Sequence, residues 1–341
     1  MSPAMAIVKD QSKANDDVLD SQYQKGVKHL CENGINKVPR KYIWPDSDRP
    51  NAADHKQPLL HVTMPNLNLP IIDFSQLVGP NRSQVLKSLS IACEQYGFFQ
   101  VVNHGITNDV INNMIDVSTR FFALPFEERS KYMSSDMTAP VRTLAVSYAK
   151  ETKFLFMRIV EAILESLGVW GATMNGGGGN DDEILKPFED GSQLMVVNYY
   201  PACPEPDLTL GMPPHSDYGF LTLLLQDEVQ GLQIQHQDKW VTVQPIPNSF
   251  VVNVGDHLEI FSNGRYKSVL HRVLVNSVKS RISVASLHSL PLESIIRPLP
   301  ALIDKANPRR YKDTDFSSFL GYISSCEPKR KNFLESRKLM I

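Results

Sequence analysis

No apolar run in this chain reaches the ~18 residues needed to cross a bilayer, so no stretch reads as a membrane span. Neither sign of charge is in excess: 35 Lys and Arg stand against 37 Asp and Glu, a net of −2. That balance excludes the basic footprint by which proteins hold nucleic acid or an acidic membrane surface. Cysteine is scarce as well. Cys31, Cys93, Cys203 and Cys326 are far apart and form no CxxC pair. They read as free thiols in a reducing compartment, most simply the cytoplasm. The opening MSPAMAIVKDQSKANDD is polar and lacks the apolar h-region of a secretory leader. What is present is 341 residues, 42% of them hydrophobic, enough to bury a real core. The expected partner is a small molecule, with no nucleic acid and no membrane, and nothing demands more than a monomer.

The chain divides by pattern. Residues 1–65 are irregular, broken by Pro39, Pro45, Pro50, Pro58 and Pro65, with room for a short amphipathic helix over 22–32. A mixed α/β region follows over 66–190. In it LPIIDFSQL reads as a short strand, SQVLKSLSIACEQYG as a helix, GFFQVVNHG as a buried strand and ITNDVINNMIDVSTRFFALP as a second helix closed by Pro125. The longest helical pattern spans 144–168, with Leu155, Ile159, Ala162 or Ile163, and Leu167 at helical spacing and Gly168 at the C-cap. NGGGGN at 175–180 has neither a strand before it nor Lys-Ser/Thr after it, and reads as a plain loop. From 191 to 300 short strand-like runs follow one another: 194–200, 220–226, 231–235, 240–244, 249–255, 268–275 and 281–288. Such spacing, without crossover helices, predicts a sandwich or barrel. The tail over 301–341 is charged and is expected to wrap the surface, with one short helix near DFSSFLGYIS.

Chemistry concentrates in the β half. In PPHSDYGFLTLLLQ, 213–226, His215 and Asp217 head an apolar run two positions apart, so on a strand they point the same way. His271 lies in another run, SVLHRVL, 54 residues after Asp217. Two imidazoles and one carboxylate on one face of a metal leave three positions open, the facial triad of non-haem Fe(II) oxygenases. The lack of thiolates argues against structural zinc. Arg281 and Ser283 follow on one strand face. An Arg aimed into an apolar barrel must be paired, and its planar fork fits a carboxylate. A lone buried His is more often a satisfied core residue than a ligand. HxD, a later His and RxS together are far more specific. His236 and the other scattered histidines carry no ligand spacing.

HSD (215–217), His271 and RIS (281–283) resemble the HxD…H…RxS signature of plant 2-oxoglutarate- and Fe(II)-dependent dioxygenases. NYYPACPEPDLTLGMPPHSD, LPIIDFS, ACEQYGFFQVVNHGI, GLQI and NVGDHLEIFSNGRYKSVLHRV are similar to that family too, and the likeness runs from about residue 35 to the end. Within the family the flavour is that of flavanone 3-hydroxylase-like and downy-mildew-resistance-like oxygenases. The resemblance implies a mainly β core with flanking helices (α+β), a double-stranded β-helix or cupin-like jelly roll with the N-terminal mixed region packed on it. It implies Fe(II) held by His215, Asp217 and His271, and 2-oxoglutarate held at its distal carboxylate by Arg281 and Ser283, with Tyr200 and Asn198 assisting. O2 is the second cosubstrate and ascorbate the reductant. Asn253, Gly255 and Asp256 read as structural. Leu287, Ser289 and Phe220 are candidate substrate-pocket residues. The implied reaction hydroxylates or desaturates a small plant metabolite, such as a flavonoid, phenolic acid or gibberellin-type hormone, while 2-oxoglutarate becomes succinate and CO2.

The sequence departs from the family at one place. MTAPVR (137–142) runs directly into TLAVSYAKE, where relatives carry a longer segment that covers one side of the pocket. Its loss is expected to expose apolar surface. It also raises an alternative, an isoform impaired in catalysis that acts by binding alone. A cupin-like metalloprotein without oxygenase chemistry is a third reading, disfavoured by the RxS pair.

Overall fold

The structure is a computed structural model that describes residues 26–50, 66–131, 141–170, 181–325 and 333–340. The first turns of the 22–32 helix, NGGGGN and Cys326 therefore lie outside the described residues; the described part of that helix is α1 (Gly26–Glu32). Alternating and continuous apolar runs of the second half become two facing sheets. One is ordered β1 (Asn66–Leu67), β8 (Lys239–Val243), β7 (Leu232–His236), β10 (His271–Val273), β5 (Met212–His215). The other is ordered β2 (Ile71–Asp73), β3 (Phe98–Val102), β9 (Phe250–Val254), β6 (Leu221–Gln226), β11 (Arg281–His288), β4 (Gln193–Tyr200). Among the described residues only β1–β8 and β2–β3 pair in parallel; the other pairs are antiparallel. The architecture is the expected jelly-roll sandwich with flanking helices.

The helices α2 (Arg82–Ile91), α3 (Asn108–Ala123) and α5 (Val141–Ser166) cover the outer face of the six-stranded sheet; the short α4 (Phe126–Ser130) follows α3. The expected stripe of α5 is buried, and Phe156, Val160 and Leu164 widen it, all fully buried. Each such side chain contributes on the order of 1.5–3 kcal/mol of burial. Arg82 forks onto Glu165 and ties α2 to α5. Thr107 caps α3 by accepting from the Val110 amide.

Several elements depart from the sequence reading. The placing of His215 and Asp217 on one strand face at the head of the apolar run is corrected: His215 ends a separate short edge strand, β5, Asp217 lies in the turn after it, and the run itself is β6 of the other sheet. Pro213 and Pro214 cannot donate to a ladder, and the edge position tolerates them. The run 268–275 keeps only three residues of strand, with an irregular register between His271 and Val273. Helix α6 (Asp181–Glu189) went unread, with Pro187 inside it. The C-terminal tail does not simply wrap the surface. Besides α8 (Phe316–Ser325) it forms α9 (Phe333–Arg337), and Leu334 and Tyr311 join Ile260 and Ile296 in a separate buried cluster.

Candidate active site

Strand pairing builds the site. β5 and β10 are neighbours, and His215 is directly opposite His271. Their rings therefore lie side by side, centroids 4.1 Å apart. Asp217 follows in the turn after β5, and its Oδ1 is 3.7 Å from His215 Nε2 and 3.8 Å from His271 Nε2. One donor atom from each of the three residues falls within 4.8 Å of the others. Both rings are oriented from behind: His215 Nδ1 meets the Pro213 carbonyl at 2.8 Å and His271 Nδ1 the Val269 carbonyl at 3.3 Å. An Nδ1–H donated to a carbonyl leaves the Nε2 lone pair free for a metal.

The carboxylate is oriented too. Asp217 Oδ2 accepts from Thr222 Oγ1 at 2.5 Å and Asn253 Nδ2 at 2.8 Å, which leaves Oδ1 toward the imidazoles. Thr222 and Asn253 are register partners on β6 and β9. Burial opposes charge on Asp217, but His271, His215 and these two hydrogen bonds outweigh it and hold the carboxyl below its ordinary range. Burial, helped by His215, pushes His271 down to about 4. The donor set is thus two imidazoles with free Nε2 atoms and one anionic oxygen, with no thiolate. That chemistry fits Fe(II).

Arg281 is 2% exposed. Its Nε donates to the Val229 carbonyl at 3.1 Å and its Nη2 to Gln226 Oε1 at 2.8 Å. Both acceptors are neutral, and among the described residues no carboxylate lies within ion-pair distance of the guanidinium. The β11–β4 register sets Arg281 opposite Tyr200 and Ser283 opposite Asn198, and the guanidinium carbon stands 5.3 Å from the Tyr200 ring centre. A buried cation with only neutral acceptors is costly and calls for an anionic ligand.

These groups line one cavity of about 1940 Å³, to which Leu287 and Ser289 also contribute. Such a space exceeds what one small ligand needs and has room for a cosubstrate and a substrate together. Phe220 is corrected: it is fully buried against Phe188 and Phe261, centroids 4.6 and 5.5 Å away, and does not line the cavity. It faces the helix layer, one step before β6 begins. Gly255 is structural as expected, since a Cβ there would lie 2.1 Å from the Gly219 carbonyl oxygen. Asp256, which opens α7 (Asp256–Phe261), is too: its amide donates to the Asp217 carbonyl at 2.7 Å, and burial raises its carboxyl to about 7 despite hydrogen bonds from Ser268 and Ser216. Asn253, read as structural, is in addition a hydrogen-bond partner of the Asp217 carboxylate. Thr222 was missed, although a single hydroxyl within FLTLLLQ already asks for a partner. Tyr218, His257 and the aromatic residues of α8 and α9 also line the cavity and were unread.

On the side of the shortened segment, Val146 and Phe154 of α5 and Leu194 of the edge strand β4 are 44%, 64% and 50% exposed. Gln193 of β4 donates to the Ala149 carbonyl of α5 at 3.1 Å, so these surfaces adjoin.

Two family models match the chain: the 2OG-Fe(II) oxygenase superfamily over residues 191–289, and the non-haem dioxygenase in morphine synthesis N-terminal region over 69–155. The chain is 36% identical over 309 residues to Protein DMR6-LIKE OXYGENASE 1 of Arabidopsis thaliana, covering 79% of this chain and 84% of that protein. It is 34% identical to thebaine 6-O-demethylase of Papaver somniferum, covering 92% and 95%. That alignment runs over 363 residues, more than the 341 of this chain, so part of the relative has no counterpart here. The crystal structure of JOX2 in complex with 2OG, Fe and JA superposes with a TM-score of 0.77 at 30% identity, covering 91% of this chain and 96% of that one. The chain belongs to the 2OG-Fe(II) oxygenase superfamily and is a 2-oxoglutarate-dependent dioxygenase that uses Fe(II).

Proposed function

We propose that this enzyme hydroxylates or desaturates a small plant metabolite, with His215, Asp217 and His271 as iron ligands. Arg281 and Ser283 hold the distal carboxylate of 2-oxoglutarate, flanked by Tyr200 and Asn198, and Leu287 and Ser289 belong to the substrate wall. The observation that carries the reading is the placement of a buried guanidinium, with no carboxylate at ion-pair distance among the described residues, in the same cavity as the His-Asp-His cluster.

Bound iron supplies the O2 and redox chemistry that no side chain can. The residues do the rest. Thr222 and Asn253 keep Asp217 Oδ1 turned to the metal and its charge in place. The Pro213 and Val269 carbonyls fix both imidazoles with Nε2 forward. Arg281 gives 2-oxoglutarate one orientation through its fork. Leu224, Ala285 and Leu287 line the cavity as apolar groups and limit water around the reacting carbon.

The test is succinate formation by the purified protein with Fe(II), ascorbate and 2-oxoglutarate, with and without a panel of flavonoids, phenolic acids and gibberellins. Succinate that rises with one class supports the reading. None, from folded protein that binds Fe(II) and 2-oxoglutarate, overturns it.

A further inference from the structure

One wall of the active cavity is a strand that ends its sheet. β4 pairs with β11 from Gln193↔His288 to Tyr200↔Arg281 with no break in register, and among the described residues no strand pairs with its other side. That side is accessible. Every residue from Gln193 to Tyr199 keeps solvent contact and Leu194 is 50% exposed, whereas β11 beside it is mostly buried. An antiparallel strand aims half of its N–H and C=O groups to each side, so β4 presents a row of open donors and acceptors.

Natural sheet edges are guarded by lysine, proline, a bulge or a very short strand. QLMVVNYY has none of these: it is uncharged, free of proline, unbulged and eight residues long. Its backbone calls for another β-strand as cover, and its side chains match their own copy. Opposite residues of an antiparallel pair share a face, so a two-fold axis perpendicular to the sheet passes through Val196 or Val197. With Val196 on the axis, Leu194 meets Asn198 and Met195 meets Val197. With Val197 on it, Val196 meets Asn198 and Met195 meets Tyr199. Either register sets neutral side chains together. Charges beyond the ends agree. Exposed Glu189 and Asp190 precede the strand, while at its far end Lys28 lies over the Tyr199 ring, 5.5 Å from its centroid, and shares Glu32 with Arg129. Antiparallel self-pairing brings the acidic end of each copy to the basic end of the other, where a parallel pairing would set acid beside acid.

We propose that this open edge is a homodimer interface, in which β4 pairs antiparallel with β4 of a second copy and joins the two six-stranded sheets into one. Leu194, Val196 and Asn198 line the cavity, so the added strand prolongs the cavity wall. The pairing uses up the edge of both copies, and the assembly closes at two. It does not depend on the chemistry of the cavity.

The test is sedimentation velocity of the purified full-length chain over about 1–100 µM, the range suited to a small interface, with the mass expected to move from 38.4 kDa toward twice that value. Hydrogen exchange at the two ends of that range locates the contact: the peptide 193–200 should exchange about 5-fold or more slowly at the higher concentration. Leu194→Lys sets an ammonium into the pairing and should weaken the dimer about 10-fold or more. Leu194→Thr keeps a neutral strand former and should hold it within about 3-fold. Circular dichroism checks that both are folded, and the wild-type exchange decides the matter if either is not. The proposal is overturned by a chain that stays monomeric at the top of the range, by association that runs past two copies, or by a dimer whose 193–200 exchange ignores concentration. A dimer that folded Leu194→Lys leaves intact overturns it too, as does slow 193–200 exchange in the monomer, which would mean that the same chain covers the edge.

Discussion

Replacing Arg281 with Ala should raise the 2-oxoglutarate requirement far more than it changes any other property. The guanidinium already spends one N–H on the Val229 carbonyl, one on Gln226 and, at 3.4 Å, one of Nη1 on Ser283 Oγ, which leaves one N–H on each terminal nitrogen for the cosubstrate. Two charge-assisted hydrogen bonds at about 1.5–3 kcal/mol each are lost. Ser283 and Tyr200 still offer hydroxyls, so the lower end, about 3 kcal/mol, is the expected loss. At 1.4 kcal/mol per decade that is a rise of about 100-fold in the dissociation constant. Calorimetry with Mn(II) in place of Fe(II) measures it directly, and the metal affinity itself should stay within a few-fold. Arg281→Lys keeps the charge but not the fork and should fall between. A 2-oxoglutarate affinity within 3-fold of wild type in Arg281→Ala would refute the assignment, because the carboxylate would then be held elsewhere.

Asp217→Ala removes the one anionic donor of the triad and should abolish both Fe(II) binding and turnover; activity above a hundredth of wild type, with added Fe(II), would contradict the ligand assignment. Thr222→Val and Asn253→Ala each leave Asp217 Oδ2 with one partner fewer and should weaken metal binding by about 10–100-fold, read by competition with a chelator. Stability should fall on acidification. Burial holds His257, His271 and His288 neutral, at about 3, 4 and 3, whereas the unfolded chain protonates them near 6.5. The unfolded state therefore binds more protons below 6.5, and stability drops as pH falls from 6.5 toward 4. Asp256, raised to about 7, and Glu259, also raised by burial, act in the opposite direction. The net one to two protons give a slope of roughly 1.4–2.7 kcal/mol per pH unit, measurable as urea midpoints of the metal-free protein; midpoints that rise between pH 6.5 and 5 would contradict it.

Strand periodicity made RxS legible, since Arg281 and Ser283 do share a face of β11, without any knowledge of what lies opposite. HxD was legible as a spacing only: His215 ends β5 and Asp217 lies in the turn beyond it, so the chain's turn and not a shared strand face brings them together. Register was not legible: that His271 stands across from His215, or Thr222 across from Asn253, depends on which strands become neighbours. Proline hid β5, since Pro213 and Pro214 argue against a ladder that forms anyway at an edge. Phe220 misled because it precedes β6 in the same run as the pocket-facing Thr222 and Leu224, yet its ring turns into the helix layer. His257 had no spacing to mark it. It reaches the cavity through the tight approach of Gly255 to Gly219, a contact between segments far apart in sequence. The aromatic wall of α8 and α9 was hidden for the same reason.

The most direct measurement is the conversion of 2-oxoglutarate to succinate by the purified full-length chain, compared with and without Fe(II) and with Arg281→Ala and Asp217→Ala beside it. Iron-dependent succinate that one substrate class accelerates, nearly lost in both variants at low 2-oxoglutarate, is the predicted result. Folded protein that binds Fe(II) and 2-oxoglutarate but forms no succinate with any substrate class would contradict the account.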